Sequence, residues 1–155
     1  MTLKMLKVKP HSVKDIPLRV KWLNNPLIAV FVYDELNKKT TLKKEITWFN
    51  RYKKDKQKKF FTIYSDKTPI GFMGLSNISP INKDADLFIA IGEDDYRGKG
   101  LGKLSLEWLI DYAFTKLNLN KINLSVKSNN LAAIKLYKSV GFKIESNKKT
   151  AVTCG

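Results

Sequence analysis

Seven residues past the middle of the chain, Arg97-Gly-Lys-Gly-Leu-Gly-Lys103, constrain this 155-residue sequence more than any other feature. Three alternating glycines let the main chain turn sharply and approach a ligand without Cβ interference. Asp86–Ile91 before them reads as a short strand, and Leu101–Leu117 after them as the strongest helix of the chain. A helix starting there leaves its first amide N–H groups without intrahelical partners and its positive dipole end outward. Strand, glycine loop and helix start together make an anion cradle suited to phosphate groups, with Arg97, Lys99 and Lys103 adding formal charge. Capping a helix does not call for three glycines in five positions. Two nucleotide loops fail on spacing. The dinucleotide fingerprint needs G-x-G-x-x-G where this loop gives G-x-G-x-G, and a Walker loop needs Ser or Thr where Leu104 follows Lys103.

The rest of the chain reads as one layered unit, residues 1–155, without repeats or a Pro/Gly/Ser linker. Leu3–Lys9 alternates as an early strand. Ser12, with Asp15 three positions on, opens a helix through Ile16, Val20 and Leu23 until Asn25-Pro26 breaks it. Pro26 starts a short second helix, and Thr41 caps a third through Tyr52. Lys59–Ser65 and Ile70–Ile78 form a hairpin around Asp66-Lys-Thr-Pro69. After the glycine loop, Leu101, Leu104, Trp108 and Tyr112 form an apolar stripe that Leu106, Leu109, Ala113 and Leu117 widen. Lys121–Val126 is a strand, Asn130–Val140 a helix, and Phe142–Glu145 begins a last strand. The order β-α-α-α-β-β-β-α-β-α-β gives an α/β or α+β layered domain.

Charge and composition narrow the function. The net charge is +15, and Arg19, Arg51 and Arg97 are the only arginines among 29 basic residues. Nucleic-acid readers lean on arginine, so a lysine-rich nucleic-acid module is disfavoured, as are polycationic substrates. Ten of the basic residues fall between Asn37 and Lys59, against Glu45 and Asp55. That face is either solvated surface or a patch attracting an acidic substrate. No apolar run approaches a membrane span, and the N-terminus lacks the continuous apolar core of a secretory signal, so the expected compartment is the cytoplasm. With Cys154 and His11 each the sole residue of its type, no metal site is expected.

The loop resembles the Q/R-x-x-G-x-G/A segment of the GCN5-related N-acetyltransferase (GNAT) family, which grips the pyrophosphate of acetyl-coenzyme A. Further on, Asn130-Leu-Ala-Ala-Ile-Lys-Leu-Tyr-Lys-Ser-Val-Gly-Phe142 is similar to the family's N-x-x-A-x-x-L-Y-x-x-x-G-F helix at every marked position. The resemblance implies a mixed, mostly antiparallel sheet with helices on both faces and a splayed pair of parallel strands. It implies that the 97–102 loop and Lys103, thus Arg97, Gly98, Lys99, Gly100, Leu101 and Gly102, hold the diphosphate. Leu87, Ile89 and Ile91 would line the pantetheine arm, whose thioester carbonyl the strand backbone polarises, and Asn130 would bind the arm. Tyr137 would protonate the departing thiolate, its alternative being a packed aromatic. Asp86 and Glu93 are the candidate bases for a cationic amine, though an amine of low pKa needs only water.

The acceptor is less constrained. Trp22-x-Asn24-x-Pro26, Trp48-Phe49, Phe60-Phe61 and Ile70-Gly71 resemble the branch holding ribosomal-protein N-terminal acetyltransferases and amino-sugar nucleotide acetyltransferases of pseudaminic acid pathways. The implied acceptor is a small, anionic amine, first an amino-sugar nucleotide, then a protein N-terminal or side-chain amine, and only then a polyamine. Thirteen residues follow Phe142, where relatives carry a longer hairpin. The tail is either shortened, or holds a stunted strand at Thr150–Cys154, or leaves its edge to a second subunit.

Overall fold

The structure is a computed structural model that describes residues 6–32, 38–144 and 149–153. Seven strands form one sheet in the order β1-β2-β3-β4-β5-β7-β6. β1 (Leu6–Pro10), β2 (Lys59–Ser65), β3 (Thr68–Ser79) and β4 (Asp84–Ile91) are antiparallel neighbours. β5 (Lys121–Ser125) runs parallel to β4. β7 (Lys149–Thr153) lies antiparallel between β5 and β6 (Lys143–Ile144). The chain therefore has a mixed, mostly antiparallel sheet. The ends expected at Leu3, Glu145 and Cys154 lie outside the described residues.

Helices cover both faces because side chains alternate along each strand. On one face α1 (Ile16–Asn24) and α2 (Pro26–Val32) meet Phe72, Phe88 and Ala90, and α3 (Leu42–Tyr52) packs on α1 and on Phe60. On the other, α4 (Leu101–Thr115) buries Leu106, Leu109 and Ala113 completely against Ile63, Met73, Leu75 and Leu87, and α5 (Leu131–Ser139) packs beside it. Burying a side chain such as Leu106 contributes about 2–3 kcal/mol.

Local signals account for most boundaries. The Ser12 amide donates to Asp15 Oδ2 at 2.9 Å, but the box opens a single 3-10 turn, Val13–Asp15, and α1 starts only at Ile16. Thr41 caps α3 by accepting from the Lys44 amide at 3.2 Å. One expectation needs correction. Leu104 is 49% exposed, so it does not belong to the buried stripe; one helical turn past Leu101 it rotates clear of the sheet, and Ser105 takes the buried place. Ser105 is accommodated because its hydroxyl returns to the Leu101 carbonyl at 2.7 Å. Of the three readings of the tail, the short strand is the one the structure bears out: Lys149–Thr153, one residue earlier than expected, pairs between β5 and the two-residue β6.

Candidate active site

The parallel pair is joined only at its start. Asp84, Ala85 and Asp86 of β4 oppose Lys121, Ile122 and Asn123 of β5, and no pairing follows. Beyond that point β4 stays with β3 as far as Ile91, while β5 follows β7. The two inner edges part, and a cavity of about 470 Å³ opens between them. Leu87, Ile89 and Ile91 line it from the α4 side, and Phe88 and Ala90 from the α1–α2 side. Since consecutive residues on opposite faces of one strand all border it, the cavity is a slot through the thickness of the sheet.

The glycine loop floors one end. Gly98 and Gly100 have φ of 72° and 81°, the left-handed region that glycine adopts without strain. A Cβ on either would meet nothing within 4 Å, so both face open space. Gly100 is also the N-cap of α4, and the Leu104 amide is the first to bond back to its carbonyl, at 3.2 Å. The amides just before it point out of the helix end. Arg97 is fixed by its Nε bond to the Ile91 carbonyl at 3.0 Å and by Nη1 on Asp94 Oδ1, while its buried Nη2 has no partner. Open glycines, outward amides and an unpartnered guanidinium nitrogen fit a diphosphate. Of the loop residues expected there, Arg97, Gly98, Gly100, Gly102 and Lys103 line the slot. Lys99 is exposed beside it, and Leu101 turns into the core at 4% exposure.

Asn130 and Tyr137 stand on the opposite wall. Asn130 Oδ1 caps α5 by accepting from the Ala133 amide at 3.2 Å, which leaves its NH2 to offer a ligand. The Tyr137 ring packs 5.8 Å from Phe142. Burial pushes its phenol up to about 12, so it keeps its proton throughout the neutral range.

The two candidate bases are not brought to the slot. Asp86 stands in the last paired position, before the strands part, and accepts from Asn77 Nδ2 at 2.8 Å. Glu93 turns toward α1. Its Oε2 accepts from the Trp22 indole at 2.5 Å, and both oxygens accept from Lys21 Nζ at 3.0 Å. Partial burial raises the Glu93 carboxyl, but the bonds from Trp22 and Lys21 outweigh it and hold the group below its usual value. The lysine-rich face is also elsewhere: Trp48 and Tyr52 seat α3 on Phe60 of β2, two strands from β4.

Sequence reasoning did not single out Leu27, Ile28, Phe88, Ala90, Tyr96 or Ser125–Lys127, all of which line the slot. Phe88 and Ala90 carried a signal, because a strand beside a through-sheet slot shows both of its faces. Leu27 carried none, since it sits in the continuous apolar run Leu27–Val32, and only the structure leaves it 60% exposed.

A sheet parted over a positively charged glycine floor defines an acyl-group transferase of the coenzyme A-dependent kind. The acetyltransferase (GNAT) domain matches residues 5–143, and the chain belongs to that family. The spermidine N(1)-acetyltransferase of Escherichia coli (strain K12) is 29% identical over 142 residues, covering 87% of this chain and 75% of the relative. Acetyltransferase PseH of Campylobacter jejuni is 27% identical over 148 residues, covering 94% and 89%. The crystal structure of Vibrio cholerae spermidine N-acetyltransferase with CoA and spermine shares the fold. It superposes with a TM-score of 0.87 at 24% identity, covering 96% of this chain and 95% of the other. The protein is an acetyl-CoA-dependent N-acetyltransferase.

Proposed function

We propose that the acceptor is the amine of an anionic small molecule, an amino-sugar nucleotide, and that the slot holds both reactants. The observation that carries this reading is the charge of the slot. Arg97, Lys103 and Lys127 line it and no carboxylate is among its described lining residues, so even with Arg97 and Lys103 taken by the diphosphate the protein offers an acceptor no negative charge. A polyamine drawn into such a slot would lose its water without gaining a counter-charge.

The residues divide the work as follows. Arg97, Lys103 and the glycine-loop amides hold the diphosphate, and the inner edge of Leu87–Ile91 with Asn130 holds the extended arm. Acetyl-CoA supplies an acyl thioester, already activated toward amines. The inner edge of β4 directs main-chain dipoles at the carbonyl where negative charge develops. Tyr137, protonated at neutral pH, donates to the departing sulfur. Neither Asp86 nor Glu93 is positioned to take the amine's proton, and for a weakly basic amine water suffices.

The second reading is a polyamine acceptor, supported by the activities named for the Escherichia coli and Vibrio cholerae relatives. The test is release of free thiol from acetyl-CoA with UDP-glucosamine, spermidine and an N-terminal peptide amine in parallel. Turnover of the sugar nucleotide with at least a tenfold higher kcat/KM is expected. A preference for spermidine or the peptide overturns the ranking while leaving the acetyltransferase assignment intact.

A further inference from the structure

We infer that Glu93 is a positioning residue for the acceptor end of the slot, holding the Trp22 indole and, through it, the start of α2. The inference rests on the slot being the acetyl-transfer site, and it replaces the role of base with a mechanical one.

Glu93 is itself rigidly mounted. The amides of Gly92 and Glu93 both donate to the Ile70 carbonyl of β3, at 2.7 and 3.1 Å. Trp22 is 0% exposed and stacks on Phe72 at 5.9 Å and 13° between planes. The indole lies directly on the Gly92 backbone, where a Cβ would come within 2.1 Å of the ring. A buried indole N–H needs an acceptor, and Glu93 Oε2 provides it at 2.5 Å. Lys21 is 63% exposed, so its pairing with the same carboxylate adds little. The indole bond is the anchor.

From Trp22 the linkage runs into α2 without a gap. The Asn25 amide donates to the Trp22 carbonyl at 3.1 Å, and the Ile28 and Ala29 amides donate to the Asn25 carbonyl at 2.9 and 2.8 Å. Ile28 packs in the same cluster as Trp22 and Ala90, and Leu27 and Ile28 both border the slot. A displaced indole therefore moves the apolar wall that an acceptor meets, while the glycine floor belongs to a different element.

The test uses the full chain with Glu93→Gln, Glu93→Ala and Trp22→Phe. The first readout needs neither reactant: ¹H–¹⁵N spectra, with the Trp22 indole signal assigned by its loss in Trp22→Phe. In Glu93→Ala that signal and the amides of Leu27 and Ile28 should shift, while the Gly98–Gly102 amides stay and coenzyme A affinity remains within about threefold. The second readout is kinetic, with UDP-glucosamine and spermidine as acceptors. Glu93→Ala and Trp22→Phe should raise the acceptor KM about tenfold with kcat nearly unchanged, and Glu93→Gln, which keeps an oxygen for the indole, should recover most of the loss. Unmoved Leu27 and Ile28 amides overturn the inference. So does a Glu93→Gln enzyme whose kcat collapses with the acidic limb of its pH profile, since that is the behaviour of a base. Failure of the acetyl-transfer reading is distinguishable, because it shows as absent coenzyme A binding in the wild type.

Discussion

The layers on the two faces of the sheet are held by different forces. Beneath α4 the core is apolar, with Leu106, Leu109, Ala113 and Ile122 at 0% exposure. Beneath α1 and α3 lies a polar network. Arg19 Nε donates to Glu45 Oε1 at 2.6 Å, and the guanidinium stacks 3.6 Å over Trp48. Thr40 donates its hydroxyl to Glu45 Oε2 at 2.5 Å, and Asn24 exchanges two bonds with the Thr40 backbone, at 2.8 and 3.0 Å. An apolar core tolerates repacking of similar volume, whereas directional bonds between fixed partners fix one register. The cofactor floor grows from the α4 layer and the apolar acceptor wall from the α1–α2 layer, so stability and function should come apart differently in the two.

The largest effect expected is on rate, in the α4–α5 layer. Tyr137→Phe should lower kcat about 10²–10⁴-fold, the usual contribution of a positioned proton donor. Coenzyme A affinity and the unfolding midpoint should barely move, since the ring is kept. An unchanged kcat with either acceptor would reduce Tyr137 to packing and remove the chemical half of the contrast.

In the polar layer the same contrast predicts the reverse. Arg19→Met leaves Glu45 buried without its cation, which should cost about 3–5 kcal/mol in urea unfolding. Coenzyme A affinity, measured well below the midpoint, should be retained. A matched loss of coenzyme A affinity would mean that the two layers are one cooperative unit.

His11 sharpens the comparison through pH. Its ring is fully enclosed, bonded to Thr62 Oγ1 at 2.7 Å and stacked on Phe72. Burial first, then the Arg19 charge, lower it to about 4 from 6.5, against opposing pulls from Asp15 and Glu45. Below pH 6.5 the unfolded chain takes up a proton that the fold refuses. Stability is therefore lost as pH falls from about 6.5 to 4, by about 3 kcal/mol, and levels off below that. Urea midpoints at pH 7 and 4.5 should differ in the wild type, and the difference should shrink in His11→Asn. An equal difference in the variant would assign the acid sensitivity to other groups.

How much of this was legible in the sequence follows from what each residue depends on. The loop Arg97–Lys103 and its helix could be read because their signals are local: glycine spacing, a strand before, an apolar period after. The antiparallel strands followed from alternation and turn residues. Leu104 misled because an i, i+3 step falls about 60° short of a full turn, enough to carry it off the buried line that Leu101 and Ser105 share. The tail strand stayed open because Lys149–Thr153 is recruited by the free edge of β5, which no local pattern announces. Asp86 and Glu93 showed the same limit at the site. Their chain positions beside the slot were evident, but the side-chain directions depend on Asn77 and Trp22, nine and 71 residues away.

The smallest expected effect concerns the lysines on and just after α3, and its sign carries the information. Lys43 and Lys44 on α3, and Lys54 in the turn that follows it, are exposed over β2, two strands or about 10 Å from β4, measured across the sheet. Screening at physiological salt acts over about 8 Å, so these charges reach the slot only as a weakened field. Reversing all three to glutamate should lower kcat/KM for UDP-glucosamine about twofold to threefold at low salt and not at all at 0.5 M salt. For spermidine the same variant should raise kcat/KM by a similar factor, because the field that attracts one acceptor repels the other. A salt-insensitive loss beyond tenfold with the sugar nucleotide would place its phosphates in direct contact with α3, and the acceptor would then have to cross both layers to reach its binding site.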